Sequence, residues 1–233
     1  MEKMRVLYIT QEFTPFLPAS EIATTSRKIS QGTHENGKEI RVFMPRFGVI
    51  NERRHQLHEV IRLSGMNMVI NDTDHPLIIK VASVPSARMQ VYFIDNEEYF
   101  KRKSTVRNDK DKMHPDNDER SMFFVRGVLE TVKKLGWVPD VIHCHGWMSA
   151  LMPLYVRSLY KDDPHFSESK IVYSAYESGF KGSLDKDLVK KLKFDGIEED
   201  LSLLDDPTYN NLSKFAVEYS DAVGIGSENV EDE

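Results

Sequence analysis

Residues 4 to 45 constrain the fold more than any other stretch of this chain. "MRVLYIT" (4–10) is an unbroken apolar, β-rich run, and the two prolines of the following "QEFTPFLPAS" block an immediate helix. From Ser20, "SEIATTSRKISQGTHENG" starts on a good N-cap residue and stops at Asn36-Gly37, after which "KEIRVFMP" supplies a second strand. Two strands joined by a helix call for parallel pairing, and an apolar run with no alternation calls for cover on both faces. The expected class is α/β: a doubly wound, mostly parallel sheet with strands near 4–10, 39–44, 140–145, 170–175 and 222–226.

Between those strands the pattern changes twice. Residues 47–95 hold successive short strand candidates, "HEVIRLSG", "MNMVIND", "PLIIKVASVP" and "MQVYFID", without a helical period, and are expected to form an antiparallel β insertion or edge meander. Residues 101–120, "KRKSTVRNDKDKMHPDNDER", offer almost nothing apolar to bury, so a mobile loop is expected, most mobile from about 103 to 116. A helix follows in "SMFFVRGVLETVKKLG", with apolar residues at 122, 125, 128, 129 and 132 and Gly136 as its stop. "PDVIHCH" is then a strand, "WMSALMPLYVRSLY" a helix despite Pro153, and "KIVYSAY" another strand. A charged stretch with one helix, "SLDKDLVKKLKF", precedes "YNNLSKFAVEYS" and a last strand, "DAVGIGS".

Size and charge narrow the function classes. With 233 residues and 40% hydrophobic content the chain can bury a real core as a single domain, 1–233. A net charge of −6, with no massed Lys and Arg, argues against a nucleic-acid surface. The four-residue apolar run near the N-terminus is too short for a leader or a membrane span, and Cys144 has no second cysteine to pair with. A cytoplasmic protein without membrane contact is expected.

In a doubly wound sheet, ligands bind at the carboxyl ends of the strands, where helix N-terminal amides point. The first such loop here contains no glycine, so its backbone cannot approach a pyrophosphate closely, and Glu21 at the helix start would repel an anion. No dinucleotide cofactor, and no other cofactor, is expected. His143 and His145, two apart on a strand, face the same way and could share a metal. A third ligand is not evident, so the alternative is a polar strand end with a hydrogen-bonded imidazole, and no metal is assigned. Cys144 faces the opposite side, which leaves it a small core residue rather than a nucleophile. The acids at 198–200 and 205–206 read as solvated surface.

Several stretches together resemble the N-terminal catalytic domain of bacterial glycogen synthases and starch synthases, the ADP-glucose-type glucosyltransferases. They are "MRVLYITQEFTPF", "VFMPRFGVIN", "VYFIDNEEYFKR", the long run from Asp116 to Arg157, and "EYSDAVGIGS". The resemblance implies one half of an enzyme with two Rossmann-like domains, transferring glucose from a nucleotide-glucose to an α-1,4-glucan. It also implies that a C-terminal donor-binding domain is absent from these 233 residues, and that a separate such domain or a synthase is a candidate partner. The implied ligands are an α-glucan or a nucleotide-sugar. Residues that match the family at candidate sugar or acceptor positions are Asp116, Asn117, Arg120, His143, His145 and Trp147, and Tyr176 is added as an aromatic face. Trp147 has a second reading, as a core anchor for the helix it precedes.

Other positions depart from the family. Its Lys-x-Gly-Gly-Leu-x-Asp stretch falls on Pro18-Ala19-Ser20-Glu21-Ile22-Ala23-Thr24, so Pro18, Ser20, Glu21 and Thr24 stand where the lysine, both glycines and the aspartate are expected. Its His-Asp-Trp-His falls on His145-Gly146-Trp147-Met148, and the thioether of Met148 cannot supply the last histidine's hydrogen bond to sugar. Its Thr-Ile-His-Asn falls on Ser174-Ala175-Tyr176-Glu177. No catalytic residue is assigned. The expectation is a chain inactive by itself, with a non-catalytic glucan-binding, regulatory or scaffolding descendant of the domain as the alternative.

Overall fold

A computed structural model describes residues 3–177 and 179–228. The opening unit folds as β1 (Arg5–Thr10), α1 (Glu21–Glu35) and β2 (Glu39–Pro45), and β1 pairs in parallel with β2 from Arg5↔Glu39 to Ile9↔Phe43. Helix α1 starts and stops as its sequence predicts. Ser20 Oγ accepts from Ala23 N at 3.0 Å, and Gly37 leaves the helix at φ +79°.

The chain then forms α2 (Glu52–His55), β3 (His58–Glu59), β4 (Met66–Ile70), β5 (Thr73–Val84), β6 (Met89–Asp95) and α3 (Glu97–Phe100). β3 and β4 pair antiparallel with β5, and β5 antiparallel with β6, as expected of an insertion. Its far boundary differs, because β6 pairs in parallel with β2 and is a central strand. The reason is visible in its burial: six of the seven residues of β6 are buried, which a solvent-facing meander would not require.

Long helix α4 (Asn117–Lys134) crosses to β7 (Val141–His145), then come α5 (Met152–Arg157), β8 (Lys170–Ala175), α6 (Leu188–Phe194), α7 (Tyr209–Glu218) and β9 (Ala222–Ile225). The main sheet runs β3-β5-β6-β2-β1-β7-β8-β9, with the six strands from β6 to β9 parallel. Helix α1 packs on β1 and β2, while α4 packs on α5 and α5 on α7, as the right-handed crossover rule requires for α1 on one face and α4, α5 and α7 on the other. The chain leaves β1 toward β2 on one side and returns to β7 on the other, so the switch-point crevice lies at the carboxyl ends of β1 and β7.

Three local expectations are corrected. The helix over 147–160 is split: Trp147–Ser149 form a single 3-10 turn, and α5 begins at Met152 with Pro153 in its first turn, where the missing N–H has no helical partner to lose. Helix α4 begins at Asn117, so residues 117–120 of the supposed loop are helical, and Asn117, Asp118 and Arg120 are fully buried. The rest of 101–120 is tied by hydrogen bonds rather than by apolar burial. Arg107 bridges to Met113, His114 N donates to Val106 O at 3.1 Å, and Arg102 Nη1 donates to Asp116 Oδ1 at 2.7 Å. Counting only apolar side chains missed those polar bonds.

Candidate functional site at the carboxyl edge

The register sets Thr10, His145 and Ser174 side by side at the ends of β1, β7 and β8, so the residues that follow them share one edge. Gln11 follows β1 at the switch point. Its backbone N donates to His145 O at 3.0 Å, its Oε1 accepts from Met148 N at 3.3 Å, and it is 4% exposed. Gly146 makes this close approach workable. It sits at φ +82°, and a Cβ there would lie 2.8 Å from Cβ of Gln11.

His143 and His145 lie with ring centroids 4.1 Å apart, each bonded to β8 or the residue after it. His143 Nε2 pairs with Ser174 Oγ at 2.8 Å, and His145 Nδ1 with the Tyr176 hydroxyl at 2.7 Å. Burial pushes His143 down to about 4. His145, with no exposed surface, is held well below the ordinary imidazole range by burial and, secondarily, by His143. Both rings are therefore neutral near pH 7, and His145 Nε2 is buried without a partner. Among the described residues no three His, Cys, Asp or Glu side chains are grouped to hold a metal, and no helix is long and apolar enough to cross a membrane. Cys144 faces away from the imidazoles, fully buried, and burial raises its thiol pKa.

The aromatic candidates have no open face. Trp147 is 2% exposed and meets Phe180 edge-on at 5.0 Å. Tyr176 is 3% exposed: its carbonyl accepts from the Tyr209 hydroxyl, and its ring lies where a Cβ on Gly226 would be. Met148 is fully buried, so its thioether is a packing group.

At the start of α1 the departures from the family acquire a physical meaning. Ser20 caps the helix and donates to Glu12 Oε2, while Gln11 Nε2 donates to Glu12 Oε1 at 3.2 Å. Glu21 Oε2 accepts from Ser227 Oγ, which in turn accepts from Glu177 N at 2.9 Å. Two carboxylates of the chain itself thus stand at the positive end of α1. Pro18 is exposed and Thr24 half-buried. Sequence reasoning passed over Gln11, Glu12 and Ser227. Only Gly146 carries a signal, as a glycine standing in the family's aspartate position, since the bonds from Glu12 to Ser20, Gln11 to Met148 and Ser227 to Glu21 span 8, 137 and 206 residues.

Asp116, Asn117 and Arg120 form a separate group at the start of α4. Arg120 Nη1 donates to Asn117 Oδ1 at 2.6 Å and to Thr105 O at 3.0 Å, and its guanidinium lies over Phe47 and Phe100 at 5.5 and 5.2 Å. Asn117 Nδ2 donates to Val106 O at 2.8 Å. Burial lowers Arg120 to about 10. These bonds fasten residues 102–116 to the helix, and no hydrogen bond, ion pair or ring contact joins this group to the histidines among the described residues.

Fold and edge together define a doubly wound α/β domain whose switch-point edge carries buried, mutually hydrogen-bonded side chains. The starch synthase catalytic domain profile matches residues 5–233, and the chain belongs to that family. The glycogen synthase of Chlorobium limicola is 39% identical over 191 residues, covering 81% of this chain and 39% of the relative. That of Pelodictyon phaeoclathratiforme is 34% identical over 220 residues, covering 93% and 44%. The catalytic domain of starch synthase IV from Arabidopsis thaliana, solved with ADP and acarbose, superimposes with a TM-score of 0.76 at 18% identity, over 95% of this chain and 44% of that one. At that identity the superposition speaks for the fold alone. The chain spans about two fifths of the length of these relatives.

Proposed function

We propose that this chain is the N-terminal part of a system that transfers glucose from a nucleotide-glucose to an α-1,4-glucan, and that residues 1–233 by themselves do not carry out the transfer. Family membership supports the first clause. The second rests on the start of α1, where Glu12 and Glu21 occupy the positive helix end that a departing diphosphate would need. Removing even one preorganised donor commonly lowers turnover on the order of a hundredfold or more, and here lysine and both glycines are replaced together. The burial of Met148 and of Gln11, which accepts from Met148 N, also supports a second reading, a non-catalytic glucan-binding, regulatory or scaffolding domain.

The test is incorporation of radiolabelled glucose from ADP-glucose into glycogen by the purified chain. Background incorporation is expected, and also with Met148→His, which restores one side chain while leaving both carboxylates in place. Incorporation that disappears in His145→Ala would overturn the reading. Separate titrations with maltooligosaccharide and ADP-glucose divide the two readings. Glucan binding without donor binding selects the non-catalytic domain, and donor binding selects the transferase part.

A further inference from the structure

The opposite edge of the sheet carries a feature that the glucan reading does not use. Because β1, β2 and β6 are parallel neighbours, their N-terminal ends meet at one place, roughly 20 Å along the strands from the histidines. A cavity of about 480 Å³ lies there, within the size range of small-molecule sites. Lys3, Lys38, Arg41 and Arg88 line it, in a chain whose net charge is −6.

The one carboxylate in the lining, Glu39, is directed elsewhere: Oε1 accepts from Trp137 Nε1 at 2.5 Å, and Oε2 lies 3.6 Å from Arg5 Nε. None of the four lining cations has an ion-pair partner among the described residues. Arg41 is held in place without being neutralised. Its Nη1 donates to the Tyr92 hydroxyl at 2.7 Å, its guanidinium lies over Tyr92 and Trp137 at 5.7 and 5.1 Å, and its Nε is buried without a partner. Arg88 sits at φ +51°, in the left-handed region, at an exposed position. The carbonyl end of α1, which would repel an anion, is closed by bonds from Asn36 Nδ2 to Gly32 O at 2.8 Å and from Gly37 N to His34 O at 2.9 Å.

We propose that this cavity binds a small anion carrying two or more phosphoryl groups, held by Lys3, Lys38, Arg41 and Arg88. Several unpaired cations around one concavity match clustered phosphoryl charge better than a single carboxylate, and a guanidinium that no carboxylate neutralises suits phosphoryl oxygen geometry. The site is independent of the carboxyl edge and stands whether or not the chain handles nucleotide-sugar.

Isothermal titration of the 233-residue chain with inorganic tripolyphosphate tests it. Saturable one-to-one binding is expected, weakening as salt rises. Arg88→Gln, at an exposed position where folding is not at stake, should weaken it about tenfold, as should Lys38→Gln. Arg41→Gln should abolish it, with a thermal melt confirming that the variant folds. Arg53→Gln on α2 should leave it unchanged. No saturable binding at millimolar ligand, or an equal loss in Arg53→Gln and Arg88→Gln, would overturn the proposal.

Discussion

The end of β7 and the start of α4 solve the same problem in opposite ways. Each buries titratable side chains, His145 and Asp118 completely, yet His143 and His145 are held neutral, whereas the first turns of α4 keep charges. There Lys191 reaches Asp118 Oδ2 at 2.6 Å and Glu119 Oε1 at 2.8 Å, with Asp185 Oδ2 at 3.2 Å. Burial opposes the charge on Lys191, but its bonds to Asp118 and Glu119 outweigh that and raise its pKa. Burial likewise pushes Asp118 up to about 6, with Lys191 opposing only in part. A neutral pair can be covered by protein without ionic partners, while a charged group must bring its partners with it. The histidine edge can therefore close over itself, and the α4 start is braced by α6.

The sharpest way to break this comparison is to remove the residue that closes the neutral edge. Trp147→Ala should cost about 3–5 kcal/mol in urea unfolding, the range for deleting a buried aromatic. If instead stability changes by less than about 1 kcal/mol while maltooligosaccharide binding disappears, the ring faces sugar and the edge is open.

The two clusters should also respond to acid with opposite sign. An unfolded chain protonates His143 as pH falls from 6.5, whereas the native chain resists until about 4. Stability from this group is present above 6.5 and lost as pH falls through that window. Asp118 does the reverse, since the native chain keeps until about pH 6 a proton that the unfolded chain releases near 3.8. Its contribution is intact below 3.8 and lost as pH rises to 6. Urea titrations from pH 4 to 7 should show the acid loss shrinking in His143→Gln by on the order of 2–3 kcal/mol. In Asp118→Asn the rise in stability with pH between 4 and 6 should steepen. Unaltered slopes in both variants would mean that neither group is buried as described.

The scaffold was more legible than the site. The five strands expected to share a sheet do so, Ser20 and Asn36-Gly37 bound α1, and Gly136 ends α4 at φ +60°. Such features are local, resting on apolar runs and capping residues a few positions apart. β6 was misassigned because hydrophobic alternation does not say which neighbour a strand pairs with. Residues 101–116 were read as structureless because their order comes from Arg120 and Asn117 reaching back 11 to 15 residues to backbone carbonyls. At the site, the motif comparison points to Met148, Glu21 and Tyr176 but not to the hydrogen bonds that hold this edge together. Ser227 and Gln11 meet their partners only after the sheet assembles.

A smaller effect tests the hydrogen bond between His145 and Tyr176. Tyr176→Phe keeps the ring against Gly226 and removes only the hydroxyl, leaving His145 Nδ1 as well as Nε2 buried without a partner. The expected loss is about 1–2 kcal/mol by chemical denaturation. A larger deficit in Tyr176→Phe than in Trp147→Ala would show that the edge depends on polar bonding more than on packing.

The smallest effect bears on whether the start of α1 is truly occupied by the chain's own charge. Ser20→Ala removes the cap on Ala23 N and should cost about 1 kcal/mol, as at ordinary helix starts. Ser20→Asp separates capping from charge. Aspartate caps a helix about as well as serine, and its charge favours a helix N-terminus. Here it would set a carboxylate against Glu12, which now accepts the Ser20 hydroxyl proton, and an aspartate has no proton to donate. Ser20→Asp should therefore be no more stable than Ser20→Ala in this chain, and should recover close to the serine level once Glu12→Gln removes the opposing charge. A Ser20→Asp variant already as stable as the parent would mean that Glu12 stands away from the helix end, leaving that end free for an anion.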